Sequence, residues 1–64
     1  MRYMIGTVNL FDSVIQMTEA EANNERDAIA IWCGEGPGYF ANKSMEAIKQ
    51  EFLDVDVLIE VVKI

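Results

Sequence analysis

A single thiol, Cys33, and no histidine leave this 64-residue chain without the usual staples of a small domain. One cysteine makes no internal disulfide, and one thiol without an imidazole assembles no zinc-type ligand set. A domain of this length buries only about 60% of its unfolded surface, so its core is marginal. Tight packing and self-association are the routes left. A homodimer is expected ahead of a monomer, and no cofactor or metal is called for.

Eleven acids against five bases give a formal net charge of −6. On so short a chain that charge disfavours direct binding to nucleic acid or to an anionic membrane, both of which select basic patches. Its complement is a positively charged protein. The plainer reading is that acidity keeps a small hydrophobic protein soluble. Hydrophobic residues make up 52% of the chain, a folding composition rather than a disordered one. No apolar run approaches the roughly 20 residues that span a bilayer. Met1-Arg2-Tyr3-Met4-Ile5 opens on a base, but Gly6, Thr7 and Asn9 break any apolar core behind it, so no signal peptide is expected. A lone free thiol suits a reducing compartment, and the expected location is the cytoplasm.

One domain, residues 1–64, is expected, with no repeats and no linker. Tyr3 to Leu10 reads as a strand with Met4, Gly6, Val8 and Leu10 on one face and Tyr3, Ile5, Thr7 and Asn9 on the other. Asp12-Ser13 marks a turn, and Val14 to Ala20 a second strand, hairpin-paired with the first. Ile15 and Met17 share a face there with Glu19 and Glu21. Residues 25–33 admit two readings. Asn24 as a cap, acids in the first turn, apolar Ala28, Ile31 and Trp32, and Gly34 as a stop describe a helix. Asn23-Asn24 as a hairpin turn and a strand from Asp27 to Cys33 is the rival. Gly34-Glu35-Gly36-Pro37-Gly38 is a loop. Ser44 caps a second helix, Met45 to Leu53, with Met45, Ile48 and Phe52 inward and Glu46 one turn from Lys49 outside. Val55 to Ile64 is the last strand, Val55, Val57, Ile59 and Val61 on one face and Asp56, Leu58, Glu60 and Val62 on the other. The fold class is α+β: strand, strand, helix, helix, strand, a small antiparallel sheet with helices packed on one face.

The stretch Val14-Ile15-Gln16-Met17-Thr18-Glu19-Ala20-Glu21-Ala22-Asn23-Asn24-Glu25-Arg26-Asp27-Ala28-Ile29 resembles a module of small phage and mobile-element proteins. There a strand ends in an Ala/Glu-rich stretch, a polar cap follows, and a helix opens with acids before Ala-Ile. The DpnD/PcfM-like proteins carry it, and some anti-CRISPR proteins have a similar pattern. It covers roughly a quarter of the chain, and after Trp32 the glycine loop and second helix depart from it. The resemblance implies a context, an accessory protein of a phage or mobile element, and carries over no functional residue.

Catalytic chemistry has little to stand on, and no enzyme is expected. Ser13 and Ser44 have no histidine as base. Cys33, near a helix C-terminus whose partial charge disfavours a thiolate, reads as a buried structural thiol. Paired carboxylates need a cleft that splits their pKa values, and Asp54-Val55-Asp56 alone is too little for a calcium loop. The glycine loop lacks G-x-G-x-x-G spacing, and Glu35 would repel a phosphate.

Recognition remains. Tyr39-Phe40 follows the glycine loop as a candidate interface anchor, with core packing as the alternative for each ring. Glu19 and Glu21 share a strand face about 7 Å apart, and Asp56 and Glu60 about 13–14 Å apart. Such rows resemble the phosphate spacing of a nucleic-acid strand, and equally any solvated sheet face. The functional expectation is a phage or mobile-element inhibitor, of anti-CRISPR or anti-restriction type. It would bind a basic nucleic-acid-binding surface of a host enzyme through Glu19, Glu21, Glu35, Tyr39, Phe40, Asp54, Asp56 and Glu60, by possible DNA mimicry. An inhibitor of uracil-DNA glycosylase is a variant. The alternative is a homodimeric assembly module joined through strand edges or through Leu58, Val62 and Ile64.

Overall fold

The computed structural model describes residues 1–64. Five elements follow in the expected order: β1 (Arg2–Asn9), β2 (Val14–Glu21), α1 (Glu25–Trp32), α2 (Met45–Leu53) and β3 (Val57–Lys63). The sheet runs β2-β1-β3, antiparallel throughout, so the first strand is central and both neighbours form edges. α1 lies across all three strands and α2 along β3, on the same side of the sheet.

Alternation along β1 sets that side. Tyr3, Ile5 and Thr7 are buried beneath the helices, while Met4, Gly6 and Val8 face away and are half-buried. Opposite Ile5 and Thr7 on β3 stand Val61 and Ile59, which extend the same apolar layer. Ile5, Ile29 and Ile48 are fully buried, one from β1 and one from each helix, and tie the two layers together. Each contributes about 1.5–3 kcal/mol of hydrophobic stabilisation.

The hairpin β1–β2 turns through Leu10–Ser13. Asn9 Oδ1 accepts from the Phe11 N–H at 2.9 Å and Asp12 Oδ1 from the Val14 N–H at 3.0 Å, so side chains stand in for missing ladder bonds. Ser13 closes the loop with φ 62°.

Residues 25–32 are helix, resolving the two readings in favour of the cap. The Asn24 side chain accepts from the Asp27 N–H, and Glu25 and Asp27 stabilise the positive end of the helix. The inward stripe differs from the expected one. Ala28, Ile29 and Ala30 are buried and Ile31 is exposed, because α1 crosses the sheet with its middle turn pressed against it. Cys33 is exposed too, contrary to the expectation of a buried thiol: it is the C-cap, already at the turn into the loop. α2 keeps its expected stripe, with Ile48 buried and Met45 and Phe52 packed against the core. Trp32 and Phe52 meet with ring centroids 5.8 Å apart and join the helices.

The last strand starts later than the alternation suggested. Val55 and Asp56 belong to the turn out of α2, Asp56 has φ 64°, and its carbonyl accepts from the Leu10 N–H at 2.7 Å. Asp56 and Glu60 therefore do not form a row on one strand. The Glu46–Lys49 pair is also replaced: Lys49 reaches past the edge of the sheet and donates to both oxygens of Glu60, at 2.9 and 3.1 Å.

Candidate functional site

Two surfaces stand out once the side chains are placed. The first is a shallow cleft of about 300 Å³ between the α1–α2 connection and α2, lined by Cys33, Glu35, Tyr39, Phe40, Lys43, Glu51, Phe52 and Val55. The connection that forms one wall is held on both sides. Asp27 Oδ1 accepts from the Gly38 N–H at 2.9 Å, and the Arg26 guanidinium donates to the carbonyls of Ala41 and Lys43. Gly34, Gly36 and Gly38 all take positive φ, which lets the backbone reverse repeatedly within a few residues.

In that cleft the aromatic pair divides its roles. Phe40 is buried at 8% exposure and belongs to the core, which corrects its assignment as a partner contact. Tyr39 is 60% exposed and stands edge-on to Phe40, centroids 4.9 Å apart, so a core residue supports an exposed ring. Lys43 spans the cleft to both Glu51 oxygens at 2.6 and 2.7 Å. Glu35 has no cation at ion-pair distance. Burial and the nearby Glu35 carboxylate both raise the pKa of the Cys33 thiol, so the cleft does not hold an activated nucleophile.

The second surface is the sheet face turned away from the helices. Glu19, Glu21 and Glu60 lie there, and each has a cation: Arg2 for Glu19, the N-terminal ammonium at 3.3 Å for Glu21, and Lys49 for Glu60. Among these acids stands a field of apolar side chains on all three strands around a hollow of about 350 Å³.

The expected partner residues are thus not gathered on one surface. Glu35 and Tyr39 share the cleft, with Phe40 beneath. Asp54 caps the end of α2, accepting from Gln50 Nε2 at 2.9 Å, and Asp56 follows in the same turn. Glu19, Glu21 and Glu60 are on the far face. Sequence reasoning missed Lys43 and Glu51, eight residues apart and joined across a loop–helix boundary that no helical spacing reveals. The acids left without a cation are Asp12, Glu25, Asp27, Glu35, Glu46, Asp54 and Asp56, in the helices, connections and turns rather than on the strands. No three Cys, Asp or Glu side chains converge as a metal site. No helix is long and apolar enough to cross a membrane.

No protein-family model, curated protein or solved structure matches the chain.

Proposed function

We propose that the protein works by binding a positively charged protein surface through the cleft around Tyr39. The observation that carries this reading is the pairing of an exposed, core-supported aromatic ring with an uncompensated carboxylate, Glu35, at the mouth of a cleft. A partner Lys or Arg stem packs on the Tyr39 ring while its charged head meets Glu35. Asp54 and Asp56 extend the negative field in the turn after α2, and the net charge of −6 steers a basic partner toward it.

The partner class that best fits this charge is a nucleic-acid-binding enzyme, whose groove carries the Lys and Arg side chains that neutralise phosphates. In that reading the chain is an inhibitor of the kind encoded by phages and mobile elements, anti-CRISPR or anti-restriction in type, acting in the cytoplasm. The module from Val14 to Ile29 supports the context, and the free thiol suits the compartment. Glu19, Glu21 and Glu60 already hold cations of their own chain and lie on the far face of the sheet, so they stand outside this contact. Mimicry of a phosphate row rests more on the turn and loop acids than on the strands.

The test is affinity capture from a bacterial lysate at low and at high salt, with mass spectrometry of what is retained. Basic nucleic-acid-binding proteins should be retained at low salt and lost at high salt. They should also be lost with Glu35→Lys or Tyr39→Ala at low salt. Retention that neither salt nor these changes affects would remove the proposal.

A further inference from the structure

The strand β2 is apolar on the wrong side for a two-layer protein. Toward the helices it offers Gln16, Thr18 and Ala20, placed there by pairing with Thr7, Ile5 and Tyr3. Away from them it offers Ile15 and Met17, 70% and 65% exposed. A one-residue slip would bury Ile15 and Met17 under the helices but Glu19 and Glu21 with them, so the observed register keeps the acids out and leaves the two apolar side chains in the open. β1 and β3 agree with β2. Met4 and Val8 face outward from the centre, and Leu58 and Val62, 47% and 63% exposed, flank them across the ladder. An antiparallel sheet with one wet face normally carries polar residues on it.

Two further observations say what covers this face. The first is charge. Every acid on it is matched by a cation of the same chain, while the acids without a cation lie in helices, connections and turns. An apolar face with matched charges on an otherwise acidic molecule has little to attract a basic partner, and an uncharged apolar surface complements it best. The second is area. Strands of about eight residues at about 3.3 Å rise, three abreast at about 4.8 Å, make a footprint of roughly 26 by 14 Å. In plan that is about 360 Å² per copy, and side chains standing on it, with exposed Leu10 and Ile64 at its two ends, add accessible area beyond the plan. Two copies would hide upward of about 700 Å², a figure that approaches the range of specific interfaces from below.

We infer that a second copy of this chain covers the open face, sheet against sheet, in an isologous dimer of four layers: helices, sheet, sheet, helices. Two sheets packed face to face keep their strands within about 30° and interdigitate at about 10 Å. Gly6 leaves room on this face for Met17, which leans over the centre of β1: a Cβ on Gly6 would stand 3.2 Å from Met17 Sδ. The dimer also extends the marginal core of a 64-residue chain. The cleft around Tyr39 stays on the outside of each copy.

The test is sedimentation equilibrium of the full chain from about 5 to about 500 μM, at low and high salt. The expected mass rises from the chain's 7.2 kDa to twice that value, and high salt leaves the association intact. Met17→Lys and Val62→Lys, both at positions exposed in the single chain, should each weaken it at least about a hundredfold while the circular dichroism of the fold is kept. Tyr39→Lys, on the cleft, should leave it unchanged. A wild-type chain that stays at 7.2 kDa throughout would overturn the inference. So would a dimer that survives both lysine substitutions, or one that Tyr39→Lys dissolves. The dimer is salt-resistant and basic-partner capture salt-sensitive, so either idea can fail without the other.

Discussion

Asp27 ties the start of α1 to the chain that leaves its end, its Oδ1 accepting from the Gly38 N–H at 2.9 Å. The same residue donates its own N–H to Asn24 Oδ1, so cap and loop share one anchor. Asp27→Ala should cost about 1–2 kcal/mol, from the lost hydrogen bond and the lost helix-end charge. Asp27→Asn keeps an acceptor oxygen and should recover part of that loss. Urea unfolding gives the energies, and hydrogen exchange at Gly38 should accelerate in the alanine variant alone.

The Cys33 thiol should be slow to alkylate at neutral pH despite its exposure. Its pKa is raised first by partial burial and then by Glu35, so little thiolate exists until the pH climbs well into the alkaline range. Removing the Glu35 charge removes one cause of the rise, and the sign follows: Glu35→Gln lowers the pKa and increases thiolate at any pH below it. Iodoacetamide rates against pH should therefore shift to lower pH in Glu35→Gln. An unshifted profile would show that the carboxylate does not reach the sulfur.

Core and open face should respond differently to truncation. Ile48→Ala should cost about 2–5 kcal/mol, because the side chain is fully buried between α2 and the sheet. At roughly 0.05–0.15 kcal/mol per residue the domain has about 3–10 kcal/mol in hand, so this variant should lose a large share of its stability and melt at a much lower temperature. Ile15→Ala, at a position 70% exposed, should change the stability of dilute protein by less than about 0.5 kcal/mol. Thermal melts at low concentration make the comparison.

Ser13 and Asp56 each hold left-handed backbone at the last residue of a turn, just before β2 and β3, with φ of 62° and 64°. A residue with a Cβ costs about 1–2 kcal/mol there. Glycine removes that cost and gives part of it back through the freedom of the unfolded chain. Ser13→Gly and Asp56→Gly should each stabilise the fold by up to about 1 kcal/mol in urea unfolding. A loss of stability in either would show that the side chain does more than tolerate the turn.

The element order was legible because the patterns were local. Alternation marks β1 and β2, and Asn24 and Ser44 announce the helices they cap. Packing was less legible. Ile31 and Trp32 satisfy helical spacing with Ala28, yet the middle of α1 meets the sheet and Ile29 is buried instead. The crossing angle of a helix on a sheet is not written in its own periodicity. Asp56 reads as strand by alternation and is a turn, because its carbonyl serves the hairpin tip through Leu10. Of the expected binding residues, Tyr39 and Glu35 line one cleft since a glycine-rich loop folds back on α2, a tertiary event. Phe40 went inward and joined the core cluster, a packing choice that its neighbours in the loop do not announce. The apolar outward face of β2 was visible as Ile15 and Met17 beside Glu19 and Glu21, but which side faced the helices was not.

Central β1 draws its two neighbours from opposite ends of the chain: Tyr3 pairs with Ala20 on one side and with Lys63 on the other. During synthesis the hairpin with β2 can form early, yet Ile5 has no β3 companion until Val61 has been added, near the very end of the described chain. Pairings of such long sequence separation form late and slowly. Until β3 has been made, the middle strand therefore lacks one edge. The sheet closes only when β3 arrives, and a chaperone that meets the chain before then meets a hairpin still waiting for its third strand.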